Sequence, residues 1–158
     1  MIIRTGIGQD SHRFEEQFIK PCVIGGIHFE NHRGFKGNSD ADIVLHAITN
    51  AISGVTGVNI LGAVSDEMCR SGITDSSEYL KEALKHLKQQ TINHVSVSIE
   101  CKTPKISPKI DEMKKNLAKL LKLETKQIGI TATSGEALTD FGKGLGAQAI
   151  AIVTTSEG

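Results

Sequence analysis

The sequence predicts an α/β fold, an α+β-type sandwich in which helices cover one side of a single mixed β-sheet of about four to five strands. Two observations predict it: stretches rich in β-branched or alternating apolar residues recur along the chain, and amphipathic helical stretches lie between them. With 158 residues, 39% of them hydrophobic, the chain is long enough to form one domain with a buried hydrophobic core. We therefore expect residues 1–158 to form a single domain.

The predicted strands share β-branched or alternating apolar residues and are bounded by glycine or polar residues. They are Ile2 to Gly8, Cys22 to Phe29, Val95 to Cys101, Gln127 to Thr133 and Ala147 to Thr154. Because helical stretches separate several of them, we expect the strands to share one sheet with the helices packed against it.

The predicted helices carry apolar residues at spacings of three and four. The first runs from Asp40 to Ser53, with Ser39 as its N-cap and Asp42 completing a capping-box arrangement. The second runs from Ser76 to about Gln89. The third opens at Ser107-Pro108, since proline suits the first turn of a helix. Its apolar face comprises Ile110, Met113, Leu117 and Leu120.

The longest stretch without a clear period is Gly54 to Thr74, which is rich in glycine and small polar residues. We predict a long loop there. A long loop within a compact domain is usually functional or mobile.

Composition excludes several function classes. Lysine plus arginine equals aspartate plus glutamate at 18 each, so no net field favours nucleic acid or an anionic membrane as partner. The three cysteines are widely spaced and include no Cys-x-x-Cys pair, which argues against a disulfide framework or a thiolate zinc site. No signal segment or membrane span is visible, and a soluble cytoplasmic protein is the expectation.

The clearest candidate for chemistry is a pair of motifs, Asp10-Ser11-His12 and a helical His46. Residues two apart on an extended chain project to the same side, so Asp10 and His12 can act together. With His46 they offer one carboxylate and two imidazoles, the protein ligands of a catalytic zinc site with one open position. Asp42 or Asn50, one turn away on the helix, could orient the His46 ring, although this polar stripe could also be a solvated helix face.

A second candidate cluster lies where a predicted strand ends, from Thr131 to Glu136. Hydroxyl and backbone groups of Thr133 and Ser134 can hold phosphate, and Glu136 can supply an oxygen ligand to magnesium or manganese. The alternative is an ordinary polar turn. The segment Lys102 to Lys105 is a turn with two cations, which either contact an anion or stay hydrated.

Six segments follow one another along the chain: Asp10-x-His12, Ser39-Asp-Ala-Asp-x-x-x-His46-Ala, Asp75-Ser76, Pro104-Lys105, Ala132-Thr133-Ser134-x-Glu136 and the late Gly142-Lys143-Gly144. Taken in this order, they resemble the 2-C-methyl-D-erythritol 2,4-cyclodiphosphate synthase family over nearly the whole chain. The metal motif is specific when the Thr-Ser-x-Glu element follows it at this distance.

The resemblance implies an enzyme that converts 4-diphosphocytidyl-2-C-methyl-D-erythritol 2-phosphate into the cyclic diphosphate and CMP, within non-mevalonate isoprenoid synthesis. It also implies a homotrimer with active sites between subunits. Zinc would be held by Asp10, His12 and His46, and Glu136 would bind Mg²⁺ or Mn²⁺ with the substrate diphosphate. The implied catalytic residues are Asn38 and Ser134, at positions that contact the phosphates. The implied substrate-binding residues are Asp10, His12, Asn38, Ser39, Asn59, Asp66, Cys101, Pro104, Lys105, Thr133, Ser134, Glu136, Asp140 and Lys143.

The chain departs from the family pattern at several positions. Asn38 replaces a histidine, and Asn50 and Asn59 replace aspartates. Lys143 replaces an arginine; lysine keeps the positive charge but cannot form the two parallel hydrogen bonds of a guanidinium group. An alternative is therefore a non-catalytic trimer that binds metal and cytidine nucleotide. A general zinc phosphodiesterase is a third possibility, although the chain lacks the extra carboxylates of a two-metal hydrolytic site.

Overall fold

A computed structural model describes residues 1–158. Six strands are present: β1 (Ile2–Arg13), β2 (Cys22–Ile24), β3 (Ile27–Phe29), β4 (Thr91–Glu100), β5 (Ile128–Thr133) and β6 (Gly146–Glu157). Four of them form the main sheet in the order β1-β6-β4-β5. The β1–β6 and β4–β6 pairs are antiparallel and the β4–β5 pair is parallel. The predicted mixed sheet is confirmed.

The chain has four α-helices, α1 (Ile43–Thr56), α2 (Ala63–Arg70), α3 (Ser76–Leu84) and α4 (Ile110–Leu121). Helices α1 and α4 lie against one face of the sheet, and α3 packs against α1. Helix α1 packs across β1 and β6, and α4 packs beside β5. No helix combines the length and the apolar character that a bilayer span requires.

Every second side chain of β6 is buried, and this alternation shows which face of the sheet packs against the core. The helix-facing side chains of β6 are fully buried from Ala147 to Val153, whereas Ile150 and Ile152, which alternate with them, remain 38% and 42% exposed. The neighbouring β1 leaves Ile3 and Ile7 exposed on the same outer face. The sheet therefore has a buried inner face and an apolar outer face.

The prediction of one strand from Cys22 to Phe29 is wrong. Residues Gly25 and Gly26 both adopt positive φ angles, 63° and 76°, and reverse the chain between β2 and β3. A Gly-Gly pair is the two-residue loop that a tight hairpin requires, because glycine reaches positive φ without a steric cost. The result is a separate two-stranded ribbon rather than a fifth strand of the main sheet.

The predicted N-cap of the first helix is also wrong. Helix α1 begins at Ile43, and Asp42 caps it by accepting hydrogen bonds from the N–H groups of Val44 and Leu45. Ser39 instead accepts from the Ala41 N–H in a local turn before the helix. Ala41 has a φ of 55°, which is not helical, so the helix cannot start at Asp40.

Two other boundaries differ from the expectation. The predicted loop Gly54 to Thr74 contains α2, a short helix with only Ser65 buried, so it lacks the apolar stripe that would reveal a helix. Helix α3 ends at Leu84 rather than near Gln89. The third predicted helix is confirmed, since Met113 and Leu117 are fully buried and Ser107-Pro108 opens a 3-10 turn before α4.

Candidate metal centre

Three sequence-predicted ligands meet at the junction of β1 and α1. Asp10 Oδ2 lies 3.0 Å from His12 Nε2 and 3.1 Å from His46 Nδ1. The ligand atoms of all three residues lie within 4.8 Å of one another. The pairing of a strand residue with its second neighbour and a helical histidine is the arrangement that the sequence predicts.

The far nitrogen of His12 fixes which ring atom faces the group. His12 Nδ1 lies 2.9 Å from the backbone carbonyl of Lys36. A carbonyl oxygen only accepts, so His12 Nδ1 donates to it and carries the proton of the neutral ring. Nε2 is therefore the nitrogen that faces Asp10: when protonated it donates to the carboxylate, and in the neutral ring its lone pair is available to a cation bound beside Asp10.

The pKa of Asp10 is shifted by both histidines, and Asp10 in turn shifts the pKa of His12. Burial alone would raise the pKa of Asp10, but hydrogen bonds and the charge of His12 and His46 hold it below the ordinary value. Burial alone would lower the pKa of His12, but the hydrogen bond to Asp10 and its charge raise it. The carboxylate is therefore ionised over the neutral pH range.

This donor set fits a divalent transition metal. One carboxylate and two imidazoles are the hard and borderline ligands that zinc accepts, and three protein ligands leave a position for substrate. His46 is 8% exposed, whereas Asp10 and His12 are half-buried, so the group is reached from one side. The group can therefore hold a metal that also contacts a bound molecule.

Neither residue expected to orient His46 does so. Asp42 is fully buried and caps α1 while it also accepts from the N–H groups of Gly25 and Gly26 in the β2–β3 turn. Asn50 donates to the Gln9 carbonyl at 3.3 Å. The prediction that Asp42 or Asn50 holds the ring is wrong, and so is the alternative of a solvated helix face, because Asp42 and His46 are buried.

The predicted nucleotide and phosphate residues come together elsewhere. A cavity of about 410 Å³ is lined by residues from the end of β4, the following turn and the end of β5. Of the predicted residues it contains Cys101, Pro104, Lys105, Thr133 and Ser134. Two sequence segments about thirty residues apart thus form one concave surface because β4 and β5 pair in parallel and end at the same edge.

Glu136 lies beside this cavity in an unusual backbone conformation. Its φ is 52°, that of Gly135 is 78° and that of Ala137 is 58°. The Ser134 hydroxyl accepts from the Glu136 N–H at 3.4 Å. Non-glycine residues at positive φ are strained, and such strain concentrates at ligand sites. Glu136 is exposed and is not part of the Asp10 group.

The other predicted residues are placed around the two regions. Ser39 is buried beside the start of α1, while Asn38 and Asn59 are exposed in loops and Asp66 is exposed on α2. Asp140 lines a separate small cavity with His12. Lys143 is exposed in the loop before β6, where Gly142 donates its N–H to Thr139.

Some contributors were not visible as site residues in the sequence. The Lys36 carbonyl, which positions His12, belongs to backbone, and no sequence pattern marks it. Lys20 Nζ donates to the carbonyls of Gly37 and Ser39, at 3.0 Å and 2.8 Å, and so holds the loop beside Asn38. A lone lysine in a loop carries no signal for such a role.

Comparisons with known proteins agree with this geometry. A family profile described as the YgbB family matches residues 3–156. A Chlamydia caviae protein named 2-C-methyl-D-erythritol 2,4-cyclodiphosphate synthase is 54% identical over 99% of this chain and 90% of its own length. A solved structure of a protein with that name aligns with a TM-score of 0.86 and 28% identity, over 97% of this chain and all of that one.

A Plasmodium falciparum protein solved as a complex with CDP aligns with a TM-score of 0.85 and 25% identity. The alignment covers 98% of this chain and 96% of that one. The match to the family profile spans nearly the whole chain and includes the Asp10 group and the Thr133 segment. The chain therefore belongs to the YgbB family.

Proposed function

We propose that this chain catalyses the 2-C-methyl-D-erythritol 2,4-cyclodiphosphate synthase reaction, as a phosphorus–oxygen lyase of non-mevalonate isoprenoid synthesis. Its substrate would be 4-diphosphocytidyl-2-C-methyl-D-erythritol 2-phosphate, and its products the cyclic diphosphate and CMP. The observation that carries the proposal is the convergence of Asp10, His12 and His46 in a fold shared with synthases of that name.

The chemistry needs positioning more than a protein base. An oxygen of the 2-phosphate forms a bond to the β-phosphorus of the same molecule, while the bond from that phosphorus to the oxygen bridging the α-phosphate breaks. CMP leaves with that oxygen. The attacking phosphate is already ionised, so the obstacle is repulsion between anions and the folding of the substrate.

Divalent ions would address that repulsion. We assign zinc to Asp10, His12 and His46, and Mg²⁺ or Mn²⁺ to Glu136 together with the substrate diphosphate. When bound, such ions neutralise phosphate charge and polarise phosphoryl oxygens. The ionised state of Asp10, held by its two histidine neighbours, supports the zinc assignment.

The residues of the chain would bind and orient the substrate. The Thr133 and Ser134 hydroxyls would donate to phosphate oxygens, and Lys105 would lie near the nucleotide phosphates. Cys101 and Pro104 would line the cytidine end of the same cavity. That a Plasmodium falciparum relative was solved with CDP supports a cytidine nucleotide as ligand.

Around the metal group, Asn38 and Ser39 would contact phosphate beside His12. Asn59 and Asp66 would face the erythritol hydroxyls, and the late residues Asp140 and Lys143 would complete the site.

We also propose that the chain works as a homotrimer with each active site between two subunits, in the cytoplasm. The exposed apolar outer face of the sheet supports assembly, because Ile3, Ile7, Ile150 and Ile152 would otherwise remain in water. Ile7 pairs with Ile152, and Ile150 follows on the same face of β6, so these three side chains form an aliphatic patch that a second sheet can cover.

The test is a phosphorus NMR assay of purified protein with the substrate and Mg²⁺. The expected result is cyclic diphosphate with one CMP released for each substrate consumed. If neither product forms, the proposal is refuted. Stoichiometric CMP binding without turnover, with turnover restored by Asn38→His or Asn59→Asp, would instead support the non-catalytic trimer. A hydrolysed linear product would support a zinc phosphodiesterase.

A further inference from the structure

We propose that Ser76 and Asp40 form a relay that positions His46 as a metal ligand. In this relay the Asp40 carboxylate orients the Ser76 hydroxyl, and that hydroxyl fixes the tautomer and the rotation of the His46 ring. The inference rests on the proposed metal site. It assigns a positioning function to two residues that lie outside the ligand set.

The relay is a continuous chain of hydrogen bonds. Ser76 Oγ lies 2.8 Å from His46 Nε2, the ring nitrogen that faces away from Asp10. The same hydroxyl donates to Asp40 Oδ1, while the Ser76 backbone N–H donates to Asp40 Oδ2 at 3.1 Å. Ser76 is fully buried and His46 is 8% exposed, so water does not compete freely for these contacts.

The direction of each bond follows from the chemistry of the groups. An ionised carboxylate only accepts hydrogen bonds, so the single hydroxyl proton of Ser76 must point towards Asp40. The Ser76 oxygen can then only accept from His46, and the proton of the neutral imidazole must sit on Nε2. The remaining nitrogen, Nδ1, lies 3.1 Å from Asp10 Oδ2, and in the neutral ring it presents its lone pair to a cation bound beside that carboxylate.

The two histidines are therefore held in the same way through different acceptors. His12 donates its far N–H to the Lys36 carbonyl, and His46 donates its far N–H to Ser76. A backbone carbonyl has a fixed direction, whereas a hydroxyl can rotate about its C–O bond. Asp40 fixes that rotation by accepting the Ser76 hydroxyl proton. Each ring thus presents a single nitrogen to the group.

Backbone contacts hold Asp40, Ser76 and His46 in fixed positions relative to one another. The Asp40 N–H donates to the Thr74 carbonyl at 3.0 Å, which ties the loop before α1 to the start of α3. Ser76 is the first residue of α3, and Tyr79 one turn later lies against the His46 ring with centroids 6.1 Å apart. The position of His46 therefore depends on α3 as well as on its own helix.

The first test compares zinc affinity in Ser76→Ala and Ser77→Ala. Both variants remove one hydroxyl from the same turn, but Ser77 is bonded through its backbone N–H to Asp75 rather than to the site. Loss of a residue that orients a ligand typically weakens metal affinity by about 10- to 100-fold. We expect that loss for Ser76→Ala and wild-type affinity for Ser77→Ala, measured by competition with a chromophoric chelator.

The second test reads the imidazole directly. In zinc-loaded wild-type protein, long-range ¹H–¹⁵N spectra should show His46 protonated at Nε2, with slow exchange of that proton. Exchange should become faster in Ser76→Ala and slow again in Ser76→Thr, which restores the hydroxyl. Asp40→Asn keeps one acceptor oxygen, so its zinc affinity should lie between wild type and Ser76→Ala.

The outcomes separate the relay from the proposed function. Equal zinc affinity for Ser76→Ala and Ser77→Ala, or a spectrum with the metal on His46 Nε2, would overturn the relay. Zinc binding that is indifferent to both Asp10→Asn and Ser76→Ala would overturn the ligand assignment and the relay together. Thermal unfolding of the metal-free variants identifies any loss of fold, and failure to release CMP would not affect these readouts.

Discussion

The backbone of Gly8 lies so close to the backbone of Ala47 that a Cβ at position 8 would stand 2.1 Å from the Ala47 carbonyl oxygen. Gly6 meets Ala51 in the same way, one helical turn along. Two glycines on β1 therefore let α1 lie almost directly on the strand. Because His46 precedes Ala47 and Asp10 follows Gly8 by two residues, this close contact also brings the metal ligands together.

Replacing Gly8 by alanine should therefore destabilise the protein and disturb the metal group. The added methyl has no room against backbone atoms, and overpacking of this kind costs about 1–3 kcal/mol or more. Urea unfolding measures the free-energy change. The control is Gly54→Ala, on exposed α1 surface, where the nearest atom to the new Cβ is 3.5 Å away. That change should stabilise the helix by up to about 1 kcal/mol, and equal effects at both sites would contradict the argument.

Removal of the His46 imidazole should abolish tight zinc binding without unfolding the chain. His46 is one of three ligand groups that converge, and the loss of one from a three-ligand set removes most of the affinity. Metal content after dialysis against zinc measures the effect of His46→Ala. The control His28→Ala removes an exposed imidazole from β3, outside the group. Near-normal zinc content in His46→Ala would refute the ligand assignment.

The Asp42 carboxyl should make stability depend on pH. Its oxygens accept four backbone N–H bonds, from Gly25, Gly26, Val44 and Leu45. Burial nevertheless raises the pKa of Asp42 to about 6, from an ordinary value of 3.8. Between these values the folded protein binds the extra proton, so stability from this group is fully present at low pH and is lost as pH rises towards about 6.

Two measurements check this dependence. The Asp42 carboxyl carbon should titrate in ¹³C NMR with a midpoint near 6, and urea unfolding should show the matching slope. Asp42→Asn should flatten the slope and lower stability at every pH, because an amide offers one acceptor oxygen where the turn and the helix use two. A midpoint below 4 would show that the N–H bonds outweigh burial.

The spacing of apolar residues in the sequence made the strand and the helix that carry the metal ligands predictable. Asp10 and His12 share a face because strand side chains alternate, and His46 follows from a helical apolar pattern, so the ligand group was accessible from sequence. The Gly25-Gly26 reversal was missed although a Gly-Gly pair between two apolar runs is a local hairpin signal. The Asp42 cap was misassigned because Ser39 and Asp42 are both suitable capping residues, and contacts far apart in sequence favour Asp42, which bonds the hairpin turn as well as its own helix. The role of Lys36 depends on a backbone carbonyl, about which side-chain patterns say nothing.

The outer face of the sheet should control assembly. Ile7 and Ile152 are paired across β1 and β6, and they are 70% and 42% exposed. In an isolated chain, a lysine at either position would remain in water and cost little. In the proposed trimer the same charge would be buried between subunits without a partner of opposite charge. The cost of removing that charge from water would prevent the subunits from associating.

Ile7→Lys and Ile152→Lys should therefore convert the assembly to monomers. Light scattering coupled to size exclusion should give about three times the 17.0 kDa chain mass for the wild-type protein and a single chain mass for each variant. Val58→Lys, on a partly exposed apolar residue of the loop after α1, serves as the control and should remain a trimer. CMP release should fall with assembly in the two isoleucine variants, because the proposed site needs residues of two subunits. A wild-type protein of single-chain mass, or variants that stay trimeric, would show that this face is not the interface.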